Sequence, residues 1–187
     1  MPNNRRANEL VSLDCQLPFC WARVTTSDYG IVSLELSRVR TSLSVTNQIQ
    51  GLGSLACLKG CARDLAQMVR RRLLTDLNLV DLPVHPTGTP FQLLVWRHLR
   101  EIPFGTTVSY GEVARAIRHP NAIRAVANAC ARNTIALAIP CHRVVRQDGD
   151  PGGFRWGTEL KREILRLERS GRVANERMMG GWSERLS

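Results

Sequence analysis

The chain has 187 residues, 26 Lys plus Arg against 16 Asp plus Glu, and a formal net charge of +10. At 43% hydrophobic residues it has material for one packed domain or two small ones, which excludes a wholly disordered chain. No apolar run approaches the roughly 18–20 residues that cross a bilayer, and Met1-Pro2-Asn3-Asn4-Arg5-Arg6 leads into no apolar leader-like stretch. The reading is therefore a cytoplasmic protein with no membrane partner, in which the six cysteines stay reduced.

Residues 1–14 are polar and read as loose. Trp21 to Thr25 and Ile31 to Leu36 are β-favouring runs around the turn residues Ser27-Asp28-Tyr29-Gly30, so Cys20 to Leu36 reads as a hairpin. Ser37 to Gly53 is polar and matches no template. Leu55 to Leu77 reads as a helix, with Leu58, Ala62, Leu65, Ala66, Val69, Leu73 and Leu74 at helical spacing. The proline-marked connector Leu82 to Gly88 is the expected boundary, with room for a short edge strand. It divides the chain into an N-terminal α/β domain, 1–82, a mostly helical domain, 83–172, and a flexible tail, 173–187.

In the second region Thr89 caps a helix with Pro90 at its first position, and Ile102-Pro103-Phe104-Gly105 stops it. Ser109 caps a short helix, Tyr110 to Ile117, with Glu112 placed as in a capping box. The turn His119-Pro120-Asn121 leads to a third helix, Ala122 to Arg132, and the two form a helix-turn-helix. This third helix is unusually rich in small residues: Ala122, Ala125, Ala127, Ala129 and Ala131. Such side chains serve either tight packing on a neighbour or close docking on a partner, and spacing alone leaves both open. Arg124 is the long basic residue among them. Net +7 of the total charge lies from Thr87 onward, which points to a polyanion but equally fits solvated basic faces.

The apolar run Ile135 to Ile139 ends abruptly in Pro140-Cys141-His142-Arg143. Thiolate is the reactive form of cysteine, and neighbouring positive charge favours it, so Cys141 is a candidate nucleophile. Cys15, Cys20, Cys57, Cys61 and Cys130 lack polar activating neighbours and read as inert thiols. Cys57 and Cys61 have no second ligand pair with zinc spacing, so no metal is expected. Adjacent residues of a strand point to opposite faces, so Cys141 and His142 cooperate only through a turn, a helix start or a bridging water. A histidine base needs an orienting group. Glu159, Glu163 and Glu168 of the amphipathic helix Thr158 to Arg169 are the candidates, and spacing does not choose among them.

Ile139-Pro140-Cys141-His142-Arg143-Val144 resembles the signature of the O6-alkylguanine-DNA alkyltransferases, also called methylated-DNA–protein-cysteine methyltransferases. The resemblance extends upstream through Thr89-Pro90-Phe91-Gln92, Val95-Trp96, Ile102-Pro103-Phe104-Gly105, Ser109-Tyr110-Gly111, Arg124-Ala125-Val126 and Asn133. Downstream it takes in Gly153-Phe154-Arg155-Trp156-Gly157, Lys161 and Glu168, and Arg155-Trp156-Gly157 is most similar to the family's bacterial adaptive-response branch. The resemblance implies a small ribonuclease-H-like α/β N-terminal domain and a winged-helix-like C-terminal domain with the helix-turn-helix. It implies a DNA repair protein that flips O6-alkylguanine, mainly O6-methylguanine, out of double-stranded DNA and accepts the alkyl group irreversibly. It implies one turnover per molecule, a monomer and no cofactor.

By the same resemblance Cys141 is the acceptor, His142 its base through a water, Glu168 the group orienting His142, and Asn133 the tie between recognition helix and cysteine. Tyr110 assists the departing guanine, and Arg124 fills the gap left by the flipped nucleotide. Ala125, Ala127 and Asn128 accompany Arg124 and Tyr110 against the DNA minor groove, and Pro140, Val144, Phe154, Arg155 and Trp156 form the substrate pocket. Gly153 and Phe154 depart from the usual pattern. The alternative is a non-catalytic damage-binding relative, against which Cys141 itself speaks, since such relatives lack the acceptor. A Cys–His peptidase would bring its pair from distant segments, and a plain helix-turn-helix regulator would leave the cysteine motif unexplained.

Overall fold

The computed structural model describes residues 10–39 and 61–171. Readings on the first nine residues, on 40–60 with Cys57 and the first turns of the Leu55 helix, and on the tail from 172 lie outside the described residues. The element order is β1 (Val11–Gln16), β2 (Trp21–Ser27), β3 (Gly30–Ser37), α1 (Cys61–Thr75), α2 (Pro90–Leu99), β4 (Val108–Ser109), α3 (Tyr110–Ala116), α4 (Ile123–Arg132), β5 (Val144–Val145) and α5 (Thr158–Ser170).

The first three strands form an antiparallel meander in the order β1-β2-β3. The hairpin expected around Ser27–Gly30 is present, closed by the Ser27–Gly30 pair. The loose reading of residues 1–14 is corrected: Val11 to Gln16 is a strand. Its exposed Ser12, Asp14 and Gln16 alternate with the more buried Val11, Leu13 and Cys15, the period of a half-buried edge. A cross-strand pair of Arg23 on Asp14, at 2.6 and 2.8 Å, adds to the pairing. α1 lays Ala62, Ala66, Val69 and Leu73 on the sheet at helical spacing. Burying each of the two larger side chains contributes about 1.5–3 kcal/mol.

The outer edge of β3 is closed by two segments from further along the chain. Ile31 N–H donates to Pro83 O at 2.9 Å, and Ile31 O accepts from His85 N–H at 2.8 Å. Leu34 N–H donates to Thr134 O, and Leu34 O accepts from Ala136 N–H, both at 2.9 Å. The short edge strand foreseen in the connector is thus a single parallel bridge, Ile31 to Val84.

Both expected helix starts are capped. Thr89 and Gln92 form a reciprocal capping box on α2, and Ser109 and Glu112 form another on α3. α2, α3 and α4 pack together through Val95, Leu99, Val113, Ala114 and Val126, all almost fully buried. One apolar cluster runs without a break from the sheet through these helices to Leu160 and Ile164 of α5. Among the described residues no helix is long and apolar enough to cross a membrane.

Candidate active site

Two local devices bring the motif residues together. β4 pairs in parallel with β5, Val108 with Val144 and Ser109 with Val145. That ladder sets Tyr110, the first residue of α3, beside the Cys-His-Arg segment. The second device is the stretch 135–140, which forms no strand. It turns sharply, with Leu137 held at a φ of 64° although fully buried, a conformation that costs a non-glycine residue about 1–2 kcal/mol. The chain then enters a single 3-10 turn over Cys141–Arg143. This is the turn that adjacency of Cys141 and His142 demanded.

Asn133 ties the end of α4 to this turn. Its Nδ2 donates to Cys141 Sγ at 3.1 Å and to Ile139 O at 2.8 Å, while its Oδ1 accepts from Ile135 N–H at 2.9 Å. Cys141 is 3% exposed and stands at the floor of a cavity of about 290 Å³. Tyr110, Ala127, Cys130, Ala131, Gly153, Phe154 and Arg155 form its walls. Burial pushes the Cys141 thiol up, and the Asn133 N–H and the charge of Lys161 oppose that rise. Burial pushes Tyr110 up to about 12, aided by the neighbouring Cys130 and Cys141 thiols, so its phenol stays a proton donor.

Behind the thiol lies a buried relay. His142 Nε2 meets Glu168 Oε1 at 2.8 Å. Arg143 clamps the same carboxylate, Nη2 to Oε1 at 2.9 Å and Nε to Oε2 at 3.0 Å, and donates Nη1–H to Ile102 O. Gly105 N–H donates to Glu168 Oε2 at 3.2 Å. Burial by itself would raise Glu168, but the bonds and charges of His142 and Arg143 outweigh it and hold the carboxyl at about 2. Burial pushes His142 down despite Glu168, so the imidazole is neutral. A neutral ring that donates Nε2–H to a fixed carboxylate carries its lone pair on Nδ1. Nδ1 is buried and has no hydrogen-bond partner among the described residues.

Of the residues singled out in the sequence, Cys141, His142, Glu168, Asn133 and Tyr110 converge here. Glu159 and Glu163 are spent elsewhere, on ion pairs with Arg38 and Arg166. α4 divides its residues by face: Val126, Ala129 and Cys130 point into the core, and Arg124, Ala125 and Asn128 lie exposed on the outer side. Ala127 sits half-buried at the rim between the two faces and borders the cavity. Phe154 and Arg155 reach the cavity, whereas Pro140 and Val144 are buried beneath it and are not wall residues. Trp156 is not a wall residue either; its ring packs edge-on against Phe154 at 5.0 Å.

Three neighbours play parts that the sequence reading did not give them: Arg143 stood there only as positive charge beside the thiol, Lys161 only as a motif match, and Cys130 as an inert thiol. Arg143 is the buried counter-charge of Glu168. Lys161 is buried, donates from Nζ to Val144 O and Pro151 O, and lends its charge to the Cys141 environment. Cys130, read as inert, lines the cavity. A signal for Lys161 existed: with Glu168 it falls seven residues apart on the apolar stripe of α5 formed by Leu160, Ile164 and Leu167. Among the described residues no three His, Cys, Asp or Glu side chains converge as a metal site.

Fold and site define a protein whose chemistry centres on one buried cysteine behind a small-residue helix. Residues 90–170 match the 6-O-methylguanine DNA methyltransferase DNA-binding domain. The chain is 42% identical over 160 residues to the bifunctional transcriptional activator/DNA repair enzyme Ada of Escherichia coli, an overlap of 83% of this chain and 44% of that protein. It is 41% identical over 108 residues to a methylated-DNA–protein-cysteine methyltransferase of Methanosarcina acetivorans, 58% of this chain and 69% of that one. The crystal structure of Mycobacterium tuberculosis OGT in complex with DNA superposes with a TM-score of 0.68 at 30% identity, covering 88% of this chain and 95% of that chain. The chain belongs to the methylated-DNA–protein-cysteine methyltransferase family. It spans less than half the length of the Escherichia coli protein, whose transcriptional role is not carried over.

Proposed function

We propose that the protein repairs O6-alkylguanine in double-stranded DNA by moving the alkyl group onto Cys141, once per molecule. The observation that carries this reading is the cavity with the Cys141 thiol at its floor, Asn133 on the sulfur and the His142–Glu168–Arg143 relay behind it. An alkyl group inside a base stack is out of reach of any side chain, so the nucleotide must leave the helix; unstacking costs a few kcal/mol, least for a damaged base. The outer face of α4 is suited to taking its place. Ala125 lets the helix approach closely, and Arg124 is long enough to fill the vacated space. Arginine contacts to phosphate supply affinity without sequence preference.

His142 Nδ1 takes the thiol proton, directly or through water, while Glu168 holds the imidazole in the required tautomer. The Cys141 sulfur attacks the alkyl carbon, the carbon–O6 bond breaks, and the electron pair leaves with guanine. Tyr110 donates a hydrogen bond or proton to the departing base. Phe154 and Arg155 contact the base from the cavity wall. The product is a thioether, which water does not hydrolyse under ordinary conditions, so the reaction ends after one event. The chain acts as a monomer without a cofactor, in the cytoplasm, where thiols stay reduced. Residues 83–172 carry the DNA-binding and acceptor groups, and residues 1–82 support them.

Incubation with a duplex bearing O6-methylguanine, followed by peptide mass analysis, tests the reading. One CH2 should be gained on Cys141 and nowhere else, and Cys141→Ser should bind the duplex without gaining mass. Methylation of Cys130, or repeated turnover, would overturn it.

A further inference from the structure

Trp96 lies on α2, far in sequence from the cysteine segment, and is 4% exposed. Its indole Nε1–H donates to the main-chain carbonyl of Ala129 at 2.9 Å. In an uninterrupted helix that carbonyl would accept from residue 133. Here the chain leaves α4 at Asn133, whose ψ is 128° and whose N–H turns to Cys130 O at 3.3 Å. Ala129 O is therefore one of the terminal carbonyls a helix leaves unpaired, and in the buried core a side chain from another helix satisfies it.

The slot for the indole is shaped for it. A Cβ at Gly88 would lie 2.7 and 2.8 Å from two atoms of the Trp96 ring, so only glycine leaves room. The bonded turn is also central to the site. Ala127, Cys130 and Ala131 around Ala129 line the cavity, and Asn133, four residues on, donates to Cys141 Sγ. The opposite face of the same helix carries the exposed Arg124 and Ala125.

We propose that Trp96 is a positioning residue for alkyl transfer: its N–H fixes the last turn of α4, and through it Asn133 and the cavity wall, in register with Cys141. The proposal rests on the reading of Cys141 as acceptor. Trp96 touches neither substrate nor thiol and acts only through the main chain of α4. The titratable and charged groups around the sulfur on other elements, namely Tyr110 from α3, Lys161 from α5, Arg155 of the cavity wall and the neighbouring His142, make no bond to the indole; Cys130 rides on the same turn of α4 as the bonded carbonyl.

The test uses Trp96→Phe, which keeps an aromatic ring and removes the donor, and Gly88→Ala, which keeps the donor and displaces the ring. Each is compared with wild type in two assays on the full chain. The first is the single-turnover rate with an O6-methylguanine duplex. The second is the pH profile of Cys141 methylation by methyl iodide, read by peptide mass analysis. Both variants should slow duplex repair by about tenfold, the equivalent of one buried hydrogen bond. Both should move the methyl iodide profile to higher pH, because a loosened Asn133 stabilises the thiolate less. A packing role alone would lower the melting temperature without moving that profile, and an unmoved profile in either folded variant overturns the proposal. Failure of the wild type to accept methyl from DNA would refute the functional reading instead, and the methyl iodide profile would still decide the role of Trp96.

Discussion

Glu168→Gln separates the charge of the buried relay from its shape. The carboxylate accepts from His142, three times from Arg143 and from Gly105, and the Glu168 and Arg143 side chains are both 0% exposed. The amide fits the space but removes the anion that balances Arg143. Leaving one member of a buried pair uncompensated costs about 3–5 kcal/mol. Linkage gives a similar figure: a carboxyl at about 2, against its ordinary 4.5, is worth about 3 kcal/mol of stability near neutral pH. For a chain of this size that is a fall in melting temperature of roughly 6–12 °C.

The folded value lies below the unfolded one. The contribution is therefore complete above about pH 4.5 and is lost as pH falls through about 2. Denaturant unfolding of wild type and variant near neutral pH, repeated across that acid window, measures both effects. Wild type should lose stability over the window, and the variant should lack that component. With His142 no longer held, methyl transfer should slow by about 100-fold or more. A stability gap under about 1 kcal/mol near neutral pH, or the same acid dependence in both proteins, would refute the assignment of Glu168 as the anchoring anion.

Arg124→Ala should slow repair of a duplex by about tenfold more than reaction with free O6-methylguanine base, because only the duplex needs the gap filled; equal losses in a parallel single-turnover comparison would remove Arg124 from that role. DNA affinity should fall with salt at a log–log slope of roughly −0.9 per phosphate neutralised, and a flat titration would contradict electrostatic binding. Gly152→Ala should destabilise by about 1–2 kcal/mol, since Gly152 sits at a φ of +65° and its Cβ would press on Tyr110 Oη at 3.4 Å. The matched control is Gly153→Ala, where nothing lies within 4 Å of the added carbon; it should stay within about 0.5 kcal/mol of wild type in the same unfolding assay.

Where local chemistry decides structure, the sequence was legible. Thr89 with Pro90 and Ser109 with Glu112 name their own helix starts, and Ser27–Gly30 names its own turn, because caps and turns are settled by a few neighbouring residues. Val11 to Gln16 was missed because its alternation is shallow: only Cys15 on its inner face is fully buried, and the polar outer residues dominate its composition. The site was legible as a motif and not as a geometry. Three glutamates on α5 were equivalent by spacing from His142. The apolar stripe of α5 could have singled out Glu168, but only the fold sets it opposite His142 and the adjacent Arg143. Trp156 failed for a similar reason. A tryptophan beside glycines is compatible with facing the cavity or bracing Phe154, and the choice depends on packing that sequence spacing does not encode.

The closed edge of β3 bears on how such a protein can change over time. Ile31 and Leu34 hold the connector and the segment ahead of Cys141 through main-chain hydrogen bonds as well as through the shared core, and peptide groups are present whatever side chains a strand carries. The main-chain part of that hold survives substitution at outward positions of the strand, provided its twist and register persist, whereas the buried Ile31 and Leu34 side chains must still fit the core. The outward positions of the sheet are thus free to change while its main chain still clamps the segment between Asn133 and Cys141. Grafting a sheet from another relative onto this acceptor region should then succeed or fail on backbone alignment and on the fit of the inward side chains, with similarity at outward positions a poor guide to the outcome.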